Sequence, residues 1–201
     1  MMFLTTQTKK ASFITHPFVY WDNYFNPEEL TVIEQYCKTL KTEQSESCVP
    51  GENHRESDIN YCFADADNQW LFRKLLFLTN TVNSEFFRYD LVGFDFFQYA
   101  EYNNVGSKYD YHCDMMLGDI NSIDSALTRK LSFSILLSDP SEYAGGDLEF
   151  FVGKPDSDPE IAESLRGRVV AFPSYMMHRV RPLTSGCRRS LVFWALGPKF
   201  K

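Results

Sequence analysis

Residues 167–194 read GRVVAFPSYMMHRVRPLTSGCRRSLVFW. Within and just beyond this stretch, three short segments are rich in β-branched and aromatic residues: 168–172 (RVVAF), 177–181 (MHRVR) and 189–196 (RSLVFWAL). Pro173 and Ser185-Gly186 punctuate them as turn signals. Runs this short, broken this often, predict strands rather than helices. Toward the N-terminus the same texture continues through 147–152 (DLEFFV), 130–137 (KLSFSILL) and 91–99 (LVGFDFFQY), broken by Pro140, Gly145-Gly146, Gly153 and Pro155. The simplest arrangement of so many short strands is a double-sheet barrel.

Upstream of residue 88 the pattern changes. Residues 13–24 (FITHPFVYWDNY) suggest one strand. Asn26 then reads as an N-cap and Pro27 as the first helical residue, with Glu28 and Glu29 favouring the positive helix start. Leu30, Ile33, Tyr36, Cys37 and Leu40 recur at helical spacing, which predicts an amphipathic helix over 27–42. Residues 43–58 are polar and read as loop. A second helix is expected from about Asp67 to Phe87, with Trp70, Leu71, Leu75, Leu76, Leu78 and Val82 as its buried stripe. Helices followed by a run of strands mean an α+β fold, with the helices packed outside the barrel. The chain reads as a single domain over 1–201: 1–88 is a mainly helical support region and 89–201 the strand-rich core.

The composition narrows the function classes. The chain has 201 residues, 44% hydrophobic and 16% aromatic, enough to bury a sizeable core. No apolar run is long enough for a membrane span. The first residues, Met1 to Ala11, are polar and lack the apolar region of a secretory signal, so a cytoplasmic location is expected. A net charge of −7 disfavours general nucleic-acid binding. The 5 cysteines have irregular spacing and no CxxC pair, which reads as free thiols.

The chemistry concentrates in a few polar residues. Of the 4 histidines, His112 and His178 lie in informative contexts, whereas His16 and His54 have no partners at ligand spacing. His112-Cys113-Asp114 is an H-x-D. On extended backbone its first and third residues share a face, so imidazole and carboxylate converge while Cys113 points away. His178 stands at a strand start after the turn Phe172-Pro173-Ser174. Two histidines and one carboxylate on one face of an octahedral ion suit a non-haem Fe(II) oxygenase. The tripeptide alone also arises by chance; the residues downstream of His178 give it weight. Arg188, Ser190 and Val192 share one face of a strand, and an arginine fork with a hydroxyl suits the far end of a dicarboxylate. Arg189 alternates outward and reads as a solvated edge charge.

The stretch from Gln98 to Trp194 resembles the prolyl 4-hydroxylase-like Fe(II)/2-oxoglutarate dioxygenases, including those called PKHD-type hydroxylases. The matching text is Gln98-Tyr99-Ala100-Glu101-Tyr102, then Tyr109-Asp110-Tyr111-His112-Cys113-Asp114. It continues with RKLSFSILLSDPSEYAGGDLEFF at 129–151 and GRVVAFPSYMMHRVRPLTSGCRRSLVFW at 167–194. The resemblance implies a double-stranded β-helix (jelly-roll) core. It implies His112, Asp114 and His178 as ligands of Fe(II), and Arg188 as the grip on the 5-carboxylate of 2-oxoglutarate. Tyr102 and Tyr109 fall where family tyrosines line the cosubstrate pocket. Leu136 occupies a position where some members carry a tyrosine, which leaves Ser190 or Tyr102 to supply that hydroxyl. Arg188, where collagen-type members carry lysine, makes a collagen-specific role doubtful. The implied reaction consumes O2 and 2-oxoglutarate, with ascorbate as an accessory reductant, and releases succinate and CO2.

By resemblance the substrate is a prolyl residue of a peptide or protein. Two alternatives are a hydroxylase of a free amino acid or other small molecule, and a non-catalytic jelly-roll binding module. Neither nucleic acid nor membrane is an expected partner, and the sequence does not give the oligomeric state. The polar segments 43–65 and 103–108 are expected to form movable walls over a cleft, with Arg55 or Tyr61 touching substrate. Arg179 and Arg181, flanking His178, are expected to add positive charge around the site. Arg129 reads equally as a cleft residue or a solvated charge.

Overall fold

Every second residue of the last strand faces one way, and that alternation organises the molecule. In the computed structural model, which describes residues 18–40, 43–44, 54–115, 126–153 and 158–199, the elements run in chain order. They are β1 (Val19–Trp21), α1 (Pro27–Lys38), β2 (Glu43–Gln44), β3 (Arg55–Glu56), β4 (Asp58–Phe63), α2 (Gln69–Val82), β5 (Phe96–Tyr102), β6 (Lys108–His112), β7 (Leu127–Leu136), β8 (Tyr143–Gly145), β9 (Leu148–Phe150), β10 (Glu160–Ala162), β11 (Val169–Pro173), β12 (His178–Val180), β13 (Leu183–Gly186) and β14 (Arg188–Pro198). A seven-stranded sheet has the order β1-β11-β7-β14-β5-β4-β2, and a five-stranded sheet the order β10-β9-β12-β6-β3. The two sheets form the jelly-roll core. Among the described residues, no helix is long and apolar enough to cross a membrane.

Leu191, Phe193 and Ala195 of β14 pack with Phe97 and Tyr99 of β5, Phe133 and Ile135 of β7, and the helices. The Phe133 and Phe193 rings stack with centroids 4.5 Å apart. The intervening residues Arg188, Ser190 and Val192 pair with Tyr102, Ala100 and Gln98 and face the space between the sheets. There a second cluster, including Phe18, Phe150, Phe172 and Leu183, closes the barrel floor. Asn26 caps α1 as its sequence predicts. It also forms a reciprocal capping box with Glu29, which typically adds about 1 kcal/mol to helix stability. The helix ends at Lys38 rather than running to residue 42.

Other boundaries also shift. The strand expected over 13–24 is described only as Val19–Trp21; residues 13–17, and with them His16, lie outside the described residues. In α2 the buried face is Leu71, Leu75, Leu78, Thr79 and Val82. Trp70 and Leu76 are exposed because they lie off that arc. The helix continues into a π-helical turn, Asn83–Phe87. The segment 91–99 is strand only from Phe96. The largest correction concerns 43–65. Arg55–Glu56 pairs with β6, and Asp58–Phe63 pairs with β5, so its described part is mostly sheet rather than loop. β3, at the edge of the smaller sheet, is two residues long, and β4 (Asp58–Phe63) mixes polar with apolar residues, which hid both in a polar segment.

Candidate metal centre and cosubstrate pocket

His112 and His178 are direct cross-strand neighbours on β6 and β12, so both rings leave the same face of the smaller sheet. Asp114 follows β6 by two residues. The backbone N–H of Met115 donates to Ser174 O at 2.8 Å, which tethers this segment to the turn before β12. The ligand atoms of His112, Asp114 and His178 all lie within 4.8 Å of one another. Nε2 of His112 is 3.6 Å from Asp114 Oδ1, and Nε2 of His178 is 3.5 Å from Asp114 Oδ2. Cys113 points outward and is exposed, as the alternation predicts.

Both rings are oriented from behind. His112 Nδ1 is 2.8 Å from Asp110 O, and His178 Nδ1 is 2.9 Å from Met176 O. A carbonyl can only accept, so each Nδ1 carries the proton and each Nε2 presents a lone pair inward. Burial pushes the His178 pKa down; Asp114 pulls it back up in part. The neutral, metal-ligating form of the ring is therefore favoured. Burial raises the Asp114 carboxyl, but positive charge on His178 or His112, when either is protonated, pulls it well below the usual carboxylate range. Its Oδ2 is buried without a hydrogen-bond partner. Two inward lone pairs and an orphaned carboxylate oxygen fit a divalent cation, which would complete all three.

The triad opens into a cavity between the sheets, about 450 Å³ counted out to the solvent at its mouth. Its inner wall carries Arg188, which is 4% exposed. Nη1 of Arg188 donates to Ser190 Oγ at 3.2 Å, and the guanidinium lies 5.6 Å from the centre of the Tyr102 ring. Its Nε is buried without a partner. Among the described residues no carboxylate lies within ion-pair distance of it, an arrangement suited to an anionic ligand. Tyr109 stacks on His112, with centroids 3.5 Å apart. The structure thus gathers His112, Asp114, His178, Arg188, Tyr102, Tyr109 and Ser190 around one cavity.

Two sequence expectations need correction. Arg179 and Arg181 do not face the cavity. Arg179 Nε is 2.8 Å from Glu149 Oε1 and Arg181 Nε is 3.4 Å from Oε2, on the opposite face of the smaller sheet. Arg189 is not a solvated edge charge. It points outward from the barrel but beneath α1, where it meets Glu34 at 3.1 Å, Glu142 at 3.3 Å and Glu101 at 3.6 Å. Arg129 lies with its guanidinium 3.8 Å from the Trp194 ring centre. Sequence reading gave little weight to Gln98 and Trp194, which also line the cavity. The signal for both was alternation: they share the inward face with Ala100 and Val192.

Residues 97–196 match the family profile described as the 2OG-Fe(II) oxygenase superfamily. The chain is 32% identical over 90 residues to a PKHD-type hydroxylase of Stutzerimonas stutzeri and 34% identical over 90 residues to one of Janthinobacterium sp.. These matches cover 45% and 44% of this chain but only 38% of each relative's length. Among solved structures, a Pseudomonas putida prolyl-4-hydroxylase superposes with a TM-score of 0.69 at 21% identity, covering 92% of this chain and 95% of that one. A Trichoplax adhaerens prolyl hydroxylase, in complex with a hypoxia inducible factor oxygen degradation domain peptide fragment, gives 0.68 at 18% identity, covering 90% and 84%.

Proposed function

Because the strand-rich part of this chain, residues 97–196, belongs to the 2OG-Fe(II) oxygenase superfamily, we propose that it is an Fe(II)- and 2-oxoglutarate-dependent hydroxylase acting on prolyl residues of a peptide or protein. The observation that carries this reading is the pairing of the His112–Asp114–His178 cluster with the unpaired Arg188 in one cavity. When bound, the iron and 2-oxoglutarate supply activation of O2, with succinate and CO2 as the cosubstrate's products.

The chain's own residues bind, orient and shield. His112 and His178 offer Nε2 lone pairs, and Asp114 offers the negative charge that offsets part of the cation's. Arg188, steadied by Ser190, pairs with the far carboxylate of 2-oxoglutarate. Tyr102 lies against that pairing, so the carboxylate is held in a low-dielectric setting where the ion pair is strong. Phe172, Leu148 and Val180 give the cavity dry walls. No side chain needs to act as general acid or base. The peptide preference draws on the prolyl hydroxylase neighbours, one of them holding a peptide fragment. The test is mass spectrometry on a panel of proline peptides and free amino acids, with Fe(II), 2-oxoglutarate and ascorbate supplied. Gain of one oxygen on peptide proline supports the reading. Gain only on free amino acids moves the chain to the small-molecule alternative, and no 2-oxoglutarate or metal binding moves it to a binding module.

A further inference from the structure

Several arginines of this acidic chain sit against carboxylates. Arg166, Arg168, Arg179, Arg181 and Arg189 each have one within ion-pair distance. Two arginines line the cavity, Arg188 and Arg55, and among the described residues neither has one. Arg188 is accounted for by the proposed cosubstrate; Arg55 is not. It projects from β3, half-buried, and its guanidinium lies 4.6 Å from the centre of the Tyr109 ring. That same ring stacks on His112. Nε donates to Ser57 Oγ at 2.9 Å. With the Gln98 amide turned so that its oxygen faces the arginine, both terminal nitrogens donate to it at 3.2 Å. Three of the five guanidinium N–H groups are thus held by neutral acceptors; the other two, one on each terminal nitrogen, point to opposite sides of the group.

A guanidinium fixed in this way, by neutral partners and beside an aromatic ring, keeps its charge and a terminal N–H to donate to a carboxylate. Gln98, which holds Arg55, and Tyr102, which lies against Arg188, are four residues apart on β5, roughly 13 Å along a strand, so the two arginines enter the cavity at different places. We propose that Arg55 is a second anion site, holding a carboxylate of the substrate to be oxidised beside the His112 cluster. This rests on the hydroxylase reading above. The carboxylate has two sources: an acidic side chain near the target residue of a peptide, or the α-carboxylate of a free amino acid.

The test is anaerobic calorimetry on the full chain loaded with Mn(II) and 2-oxoglutarate. One arm uses end-capped pentapeptides with central proline, carrying Glu or Gln at each other position in turn. The other compares L-proline with L-prolinamide. The expected result is that the carboxylate member of at least one pair binds tighter by about tenfold or more, the worth of one charge-assisted hydrogen-bonded contact. Preference in the peptide arm assigns an acidic side chain, and preference in the proline arm an α-carboxylate. In Arg55→Gln the preference shrinks to within about twofold, while Arg55→Lys keeps part of it, since charge survives but the fixed direction of the N–H does not. Affinity for 2-oxoglutarate is unchanged in both variants, which separates this site from Arg188. Absence of discrimination in every pair, no binding by any probe, or discrimination that survives Arg55→Gln overturns the proposal. The hydroxylase reading fails separately, on the absence of oxygen gain by any substrate in the mass-spectrometric panel.

Discussion

Substituting alanine at Gly146 tests whether the cosubstrate pocket depends on the depth at which Arg188 sits. Gly146 has φ +68°, and a Cβ there would stand 2.9 Å from Arg188 Cδ and 3.3 Å from Leu183 Cδ1. The left-handed backbone costs an L-residue about 1 kcal/mol of stability. The contact adds a displacement: ordinary carbon–carbon packing begins near 3.5 Å, so the arginine stem must move by roughly 0.6 Å. Losing a buried charge pair outright costs about 2–5 kcal/mol. Half an ångström of misplacement at a bidentate contact forfeits part of that, on the order of 1–2 kcal/mol, or about 5- to 30-fold in 2-oxoglutarate affinity. Calorimetric titration of the Mn(II)-loaded protein measures it. Gly106→Ala is the control, because Gly106 has φ +92° with nothing within 4 Å of its Cβ position, and so carries the strain without the contact. If Gly146 acts through Arg188, its effect disappears in an Arg188→Ala background. An equal loss of affinity in both backgrounds, or no loss in the single variant, refutes the reasoning.

His112→Ala, Asp114→Ala and His178→Ala should each abolish turnover and weaken Mn(II) binding strongly, read by calorimetry; unchanged metal content in any one removes that residue from the site. Arg188→Ala should raise the 2-oxoglutarate requirement by roughly 30- to 4,000-fold with metal affinity preserved. Arg189→Ala should leave 2-oxoglutarate affinity nearly unchanged, yet lower thermal stability by about 1–2 kcal/mol, a few degrees in Tm, because its carboxylate partners lose their shared cation. Burial pushes the Glu149 carboxyl up, but Tyr111 and Arg179 outweigh it and leave it below its ordinary 4.5. A depressed folded-state value means stability that is fully present above pH 4.5 and lost as pH falls through the folded value. The thermal midpoint of Glu149→Gln should therefore fall less steeply than wild type below pH 4.5; parallel curves would remove Glu149 as a contributor.

The strands read from the sequence, among them β5, β7, β11 and β14, were legible because each buries at least one face. Phe133, Ile135, Leu191 and Phe193 alternate with residues that face the cavity, and two-residue periodicity survives in the text. The metal cluster was legible for the same reason, since His112 and Asp114 stand two apart at the end of a strand. Arg55 escaped as a site residue with known neighbours because β3 is two residues long and has no apolar partner. Its identity comes wholly from pairing with β6, which lies far along the chain. Trp70 and Leu76 misled in the opposite sense. They are apolar but sit beside the buried arc of α2, and composition cannot distinguish an apolar residue from an inward-facing one.

The same alternation separates charges that the sequence sets side by side. His178 and Arg179 are neighbours, yet one faces the candidate metal centre and the other crosses to Glu149 on the outer face. Arg188 and Arg189 are neighbours too. Arg188 is inward, with a hydroxyl and an open Nε; Arg189 is outward, meeting three glutamates beneath α1. In each pair the outward residue meets protein carboxylates; of the inward ones, His178 faces only Asp114 and Arg188 has none within ion-pair distance among the described residues. A one-residue slip of β14 that moved Arg189 into the inward place of Arg188 would put Ser190 opposite Glu34 and take away its cation. The pairing of Ser190 with Ala100 and Leu136 opposes that slip, since small and apolar inward residues fit there and bulky Leu191 fits the helix side. The register that packs the core is thus the register that keeps Arg188 free for an anion, and loss of core packing in β14 should cost cosubstrate affinity as well as stability.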